Sequence, residues 1–112
     1  MQGNISLLRK SFTATGAVAQ YQPIAPTGAN AAAAGNAVGF ADIGGVSGDL
    51  IPVVVIGTAL AIAGATVAVG DPLKVHTTVT QVAPQGGTGT IIARALSAGA
   101  AGDVIEVLIV GN

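Results

Sequence analysis

Cysteine and tryptophan are absent from this chain, and only 8% of its 112 residues are charged. Without cysteine there are no disulfides, no zinc–thiolate sites and no thiol catalysis, and the redox compartment stays open. Four basic residues against five acidic ones, scattered along the chain, make no stripe on which phosphates could be neutralised, so nucleic acid is not an expected partner. An ordinary soluble domain carries about 25% charged residues. A surface this poor in charge resists association weakly, which points to a chain covered in part by copies of itself or by another subunit. The length fits one domain, large enough to bury a core without metal or disulfide staples.

Catalytic parts are equally scarce. His76 is the sole histidine; its nearest carboxylate in sequence is Asp71 and no serine lies close, whereas a nucleophilic triad needs a base oriented by a carboxylate. The carboxylates are Asp42, Asp49, Asp71, Asp103 and Glu106. Three of them directly follow a glycine, a turn-like setting in which aspartate caps its own backbone. The glycine-rich stretches contain no phosphate-cradling pattern of the P-loop or dinucleotide type. No catalytic residue, metal ligand or cofactor is expected, and the chain does not read as an enzyme. Asn4-Ile5-Ser6 fits the glycosylation sequon, which carries meaning only in a secreted eukaryotic protein.

The run from Leu50 to Val69 carries no charge, and hydropathy alone would make it a membrane span. Pro52, Gly57 and Gly64 interrupt it, β-branched residues fill it, and the related stretch at the end of the chain is too short to cross as a helix. It reads as two strands separated by a turn, with no membrane partner. Nor does the N-terminus read as a secretion signal, since Arg9-Lys10 is followed by the polar SFTATG and not by an apolar segment.

What the sequence does contain is a repeated strand–turn unit. Ile91 to Val110 reads as a hairpin, IIARALS and VIEVLIV around AGAAGD, because Ile, Val and Leu suit a pleated surface and glycine can take positive φ without steric cost. In its last strand Ile105, Val107 and Ile109 share one face; Val104, Glu106, Leu108 and Val110 share the other, with Glu106 marking the wetter side. Gly45 to Gly57 matches Gly99 to Gly111 at an ungapped offset of 54 residues, both Gly-Asp pairs included, and the offset carries back to Gly16 with Gly70, Gly35 with Gly89 and Ala41 with Ala95.

The expected organisation is therefore all-β: a small barrel or sandwich of short antiparallel strands with pseudo-repeats over about 12–57 and 66–111, one β domain over 12–112, and a flexible N-terminal arm over 1–11. Ile5, Leu7, Leu8, Arg9, Lys10 and Phe12 are candidate contact residues, the adjacent charges of Arg9 and Lys10 forming an anchor for an acidic or apolar surface. Gly48, Asp49, Gly70, Asp71, Pro72, Gly102 and Asp103 are the structural turns. Two short strands are expected between Phe12 and Ile24, with Tyr21 a packing residue. Surface loops are expected over Thr27–Asn36 and Gln81–Thr90, strands over Ala37–Ile43 and Leu50–Ile56, and a short strand pair, Thr58–Ile62 with Ala65–Val69. Leu73–Val82 is an alternating strand that places His76 on its polar face with Lys74, Thr78 and Thr80.

Gly70-Asp71-Pro72-Leu73-Lys74, then Ala95 to Asp103 with the apolar strand that follows, resemble the small capsid cement or head decoration proteins of tailed bacteriophages. Gly39-Phe40-Ala41-Asp42 followed by Gly48-Asp49 and a Val-rich strand repeats the style in the first half, so the resemblance covers about Phe12 to Val110. It implies a small β barrel or sandwich that assembles as a homo-oligomer, a trimer, on the outside of a phage head. The major capsid protein and further copies of the chain would be its partners, with synthesis in the host cytoplasm. The Met1–Ser11 arm departs from that pattern. Gly70 to Leu73 also resembles the strand entry of biotinyl and lipoyl carrier domains, the alternative reading. Those display a lysine at a hairpin tip, whereas Lys74 lies just inside a strand.

Overall fold

A computed structural model describes residues 6–109 of the chain, with side chains from residue 8 onward. Eight antiparallel strands form it: β1 (Ser6–Thr13), β2 (Pro23–Ile24), β3 (Gly39–Ala41), β4 (Leu50–Ile62), β5 (Pro72–Val75), β6 (Val82–Pro84), β7 (Ala93–Ala95) and β8 (Val104–Ile109). No helix occurs among the described residues, so none is long and apolar enough to cross a membrane. Hydrogen bonding runs in the order β2-β3-β4-β8-β7-β5-β6, with β1 also on β4. A bridge from Val82 to Ala63 and the Gly64 N–H donating to the Val82 carbonyl at 2.7 Å bring β6 back to the end of β4. The result is a small, nearly closed β barrel.

β4 is the spine. Its Val- and Ile-rich start favours extended backbone, and the strand serves two neighbourhoods in turn. Up to Gly57 it pairs with β1 and β3; from Thr58 it pairs with β8. Gly57, at φ +110, sits where the partner changes, in a conformation that side-chain-bearing residues avoid. The Leu50–Val69 run is thus one long strand followed by an irregular stretch, not two strands around a turn, and Ala65–Val69 adds only a single bridge, Val67 to Gly99. Both described ends of the chain meet at this point, Ser6 opposite Gly57 and Leu108 opposite Thr58.

Inward positions alternate along β4 as pleating requires. Ile51 and Val53 enter one apolar cluster with Ala14, Val18, Ile24 and Ala41. Ala59 and Ala61 enter the other, where they pair with Val107 and Ile105. Setting alanine across from a branched side chain lets strands approach closely enough for a barrel this narrow to fill without voids. Burying one Ile or Val fully contributes about 1.5–3 kcal/mol, and Ile105, Val107, Val53 and Leu73 are all fully buried.

The two halves are built alike. Phe12–Ile51 and Lys10–Val53 pairing in the first half is matched by Ala61–Ile105 and Ala59–Val107 in the second. Pro23–Phe40 and Ile24–Gly39 are matched by Pro72–Arg94 and Leu73–Ala93. The sequence offset is not constant, however. It is 54 from β3 and β7 onward, but 49 before them, as in Val18 to Gly45 against Val67 to Gly99. The second half carries five extra residues between Leu73 and Ile92, where β6 forms. Gly70 therefore corresponds to Tyr21, not to Gly16, and the halves divide inside β4, with β1 the counterpart of β4's second part.

Other expectations are revised for local reasons. Ser6–Ser11 belong to strand β1 rather than to an unstructured arm, because β4 offers a full edge for them to pair with; Met1–Ile5 lie outside the described residues. Leu73–Val82 is not one strand. It turns between Val75 and Val82, where the Gln81 N–H donates to Thr78, the His76 N–H donates to Gln81 and the Thr78 N–H donates to His76 Nδ1. Thr27–Asn36 is loop, as its glycines and asparagines suggest.

Candidate interaction surface

Four tight turns organise the ends of the barrel. In the turn ending at Asp49, its N–H donates to the Val46 carbonyl at 3.0 Å, its carboxylate accepts the Val46 N–H at 3.0 Å, and Gly48 stands at φ +93. Positive φ at the third position is the type II pattern and calls for glycine. Asp103 with Ala100 and Gly102 repeats that arrangement, and Asp71 with Ala68 and Gly70 does so again. Each of these three carboxylates is thereby taken up by backbone.

The fourth turn has no Gly-Asp pair. Tyr21 takes φ +67, the Gln22 N–H donates to Ala19, and Gln22 Oε1 accepts the Ala19 N–H at 2.9 Å. Gln22 is buried and its Nε2 finds no partner among the described residues, since an amide brings donors that a carboxylate does not. Nothing in the local sequence marks this turn, because its two key residues are replaced. Tyr21 is half-buried, and its backbone holds the left-handed conformation that the glycines hold in the other three turns.

Of the candidate contact residues, Leu7, Leu8, Arg9, Lys10 and Phe12 lie on β1. Leu8 is exposed and lies opposite Ile56, which is exposed too. Arg9 is held by Asp42 at 2.8 Å. Lys10 lies 5.6 Å over the ring of Phe12, and Phe12 packs on the first core. Ile5 and the side chain of Leu7 lie outside the described residues. Arg9 and Lys10 therefore point to different partners within the chain instead of forming one basic anchor. Pro72 opens β5, and Lys74 lies within that strand opposite Ala83, away from any hairpin tip.

Among the described residues no pocket forms, and no three His, Asp or Glu side chains converge. What the surface does carry is apolar area. Leu8, Ile43, Val46, Leu50, Ile56, Val69, Leu96, Val104 and Leu108 are all exposed. Three of these belong together. On the outer face of the second half, Val104 lies opposite Ile62, Glu106 opposite Leu60, and Leu108 opposite both Thr58 and Arg94, while the Leu96 N–H donates to the Glu106 carbonyl. Glu106 does not mark a wet face. It is 7% exposed while Leu108 on the same face is 41% exposed.

No protein-family model matches the chain, and no curated protein matches it. A solved structure does. The chain is similar to the head fiber gp8.5 N base of bacteriophage phi29, with a TM-score of 0.74, 20% sequence identity, and coverage of 92% of this chain and 93% of that one. At that identity the shared property is the barrel fold over nearly its whole length.

The sequence could have pointed to the exposed patch by parity. Val104, Glu106 and Leu108 do share a face, as alternation along β8 requires. One charged residue made that face look solvated, and only the pairing of β8 with β4 and β7 shows that Leu60, Ile62 and Leu96 join it.

Proposed function

We propose that this chain is a structural protein of a phage head, a decoration or cement protein that binds the outer surface of the capsid as a homotrimer and stabilises contacts between capsid subunits. The observation that carries the reading is the barrel shared end to end with a phage head fiber base. That warrant is a fold-level analogy, and the surface chemistry adds to it. Large apolar side chains stand exposed on several strands and turns of a chain with few charges, the composition of a surface meant to be covered.

Such a role needs complementary surface, not an active site. Stable recognition takes an interface of about 1,600 Å², and many copies around a shell stabilise it by mass action. The major capsid protein and further copies of the chain are the partners, and the virion exterior is the location. Contacts dominated by apolar groups bind with little dependence on salt, because only charge pairs are screened.

The test is direct. Purified chain is examined by sedimentation and then mixed with expanded phage heads lacking it, and the pelleted particles are imaged. The expected result is an oligomer in solution, density on the outer shell, and heads that resist heating better than bare ones. A stable monomer without affinity for heads would overturn the proposal.

A further inference from the structure

The turn ending at Asp49 and the turn ending at Asp103 are one turn built twice, so each serves as a control for the other. The Ala14 N–H donates to the Asp49 carbonyl at 2.8 Å, as the Ala63 N–H does to the Asp103 carbonyl at 2.9 Å. Val18 and Gly45 exchange both of their backbone hydrogen bonds, and so do Val67 and Gly99. The Asp49 carboxylate accepts the Val46 N–H at 3.0 Å, and the Asp103 carboxylate accepts the Ala100 N–H at 2.9 Å. The backbone asks nothing different of the two.

Their side chains differ nonetheless, and in one direction. Where the second turn and its approach carry Ser97, Ala100 and Val104, the first carries Ile43, Val46 and Leu50, each larger and more apolar than its counterpart. These three are 59%, 63% and 70% exposed, against 38% for Val104. The second turn forms without them, and none of them enters either apolar cluster. Large apolar side chains that neither the turn nor the core requires mark a surface for a partner.

Charge and size choose the occupant. The carboxylates beside this tip are both engaged, Asp49 by its own turn and Asp42 by Arg9 at 2.8 Å, so it presents apolar side chains to an apolar surface. It is also small. A large exposed patch covers about 300–600 Å², short of the about 800 Å² per partner that a stable pair buries. Such a tip does not hold a lone second copy, but it suffices where several copies joined in one oligomer engage a shell together, because linked contacts multiply.

We infer that the tip formed by Ile43, Val46 and Leu50 is the part of the chain that seats on the capsid, in an apolar depression of a shell subunit, an assignment that rests on the capsid reading above and names its contact surface. The matching turn at the other end of β4, with Ala100 in place of Val46, stays clear of the shell.

The experiment is co-pelleting of the full chain and its variants with phage heads that lack it. Val46→Asp and Ala100→Asp place the same charge on the same backbone. The first is expected to weaken attachment at least 100-fold, because a carboxylate is then buried without a partner at every seated copy; the second should leave attachment unchanged. Leu50→Asp is expected to match the first. A wild-type chain that does not attach overturns the capsid reading itself. A wild-type chain that attaches no better than Val46→Asp and Leu50→Asp overturns only the assignment of the tip. Because the chain lacks cysteine, Val46→Cys and Ala100→Cys give a second readout if a charged variant does not fold. Maleimide is expected to label Val46→Cys at least tenfold more slowly on heads than in the free protein, and Ala100→Cys at the same rate in both. Equal rates at Val46→Cys would overturn the assignment, and so would protection already present in the free oligomer and lost on dilution, which would give the tip to a second copy.

Discussion

Replacing Gly48 or Gly102 with alanine isolates the backbone contribution of the twin turns. The two glycines stand at φ +93 and +91, and nothing lies within 4 Å of where either Cβ would be placed. An added methyl group meets no neighbour, so the cost is that of holding a side-chain-bearing residue in left-handed backbone, about 1–2 kcal/mol. Alanine also narrows the unfolded ensemble, which returns about 0.4–1 kcal/mol. The net destabilisation is about 1 kcal/mol at either site. With an unfolding entropy of about 2.1 cal/mol/K per residue, a chain of this length loses about 0.24 kcal/mol per degree, and each variant should melt about 4 °C below the wild type. Gly16 is the control: it too has nothing within 4 Å, but its φ is not positive, so Gly16→Ala should leave Tm unchanged or raise it slightly. The measurement is calorimetry at one fixed protein concentration, because self-association makes Tm depend on concentration. If both turn variants melt with the wild type, or if Gly16→Ala loses as much as they do, the account of these turns is wrong.

Other perturbations follow from the same structure. Ile105→Ala removes a fully buried side chain and should cost about 2–5 kcal/mol, read from the urea midpoint at constant m-value. Gly39→Ala drives a methyl group into the Val54 carbonyl and Val53 side chain across the β3–β4 pair; chemical denaturation should register a loss of at least about 1–3 kcal/mol, and a wild-type midpoint would mean that the strands can part there without penalty. Arg9→Gln breaks the exposed ion pair to Asp42 and should cost under about 1 kcal/mol, with the difference shrinking in high salt. Attachment to phage heads should hold from low to high salt, measured by co-pelleting; loss of attachment at moderate salt would point to charge contacts instead.

The turns and the strand faces were legible in the sequence because their causes are local. Gly48-Asp49, Gly70-Asp71 and Gly102-Asp103 combine free positive φ with a carboxylate that reaches its own backbone, and such a pair makes the same turn wherever it occurs. The fourth turn escaped notice because Tyr21-Gln22 makes it without either residue. The constant offset of 54 failed for a related reason: in a chain rich in alanine and glycine, Gly16 aligns with Gly70 by composition, while the hydrogen bonds pair Gly70 with Ala95 as they pair Tyr21 with Ala41.

By itself the sequence determined that the chain would be β-structured, where three of its turns would close, and which residues of β8 would share a face, since each follows from backbone sterics or from a period of two. Tertiary structure decided everything that depends on which strand lies beside which. It made β4 one continuous strand shared by both halves, drew Ser6–Thr13 into the sheet, and set Leu60, Ile62 and Leu96 around Glu106. Pairing is a contest among distant strands for the same edges, and no single stretch of residues carries its outcome. The repeated Gly-Asp turns could be read one at a time; the open apolar face exists only once three strands have found each other.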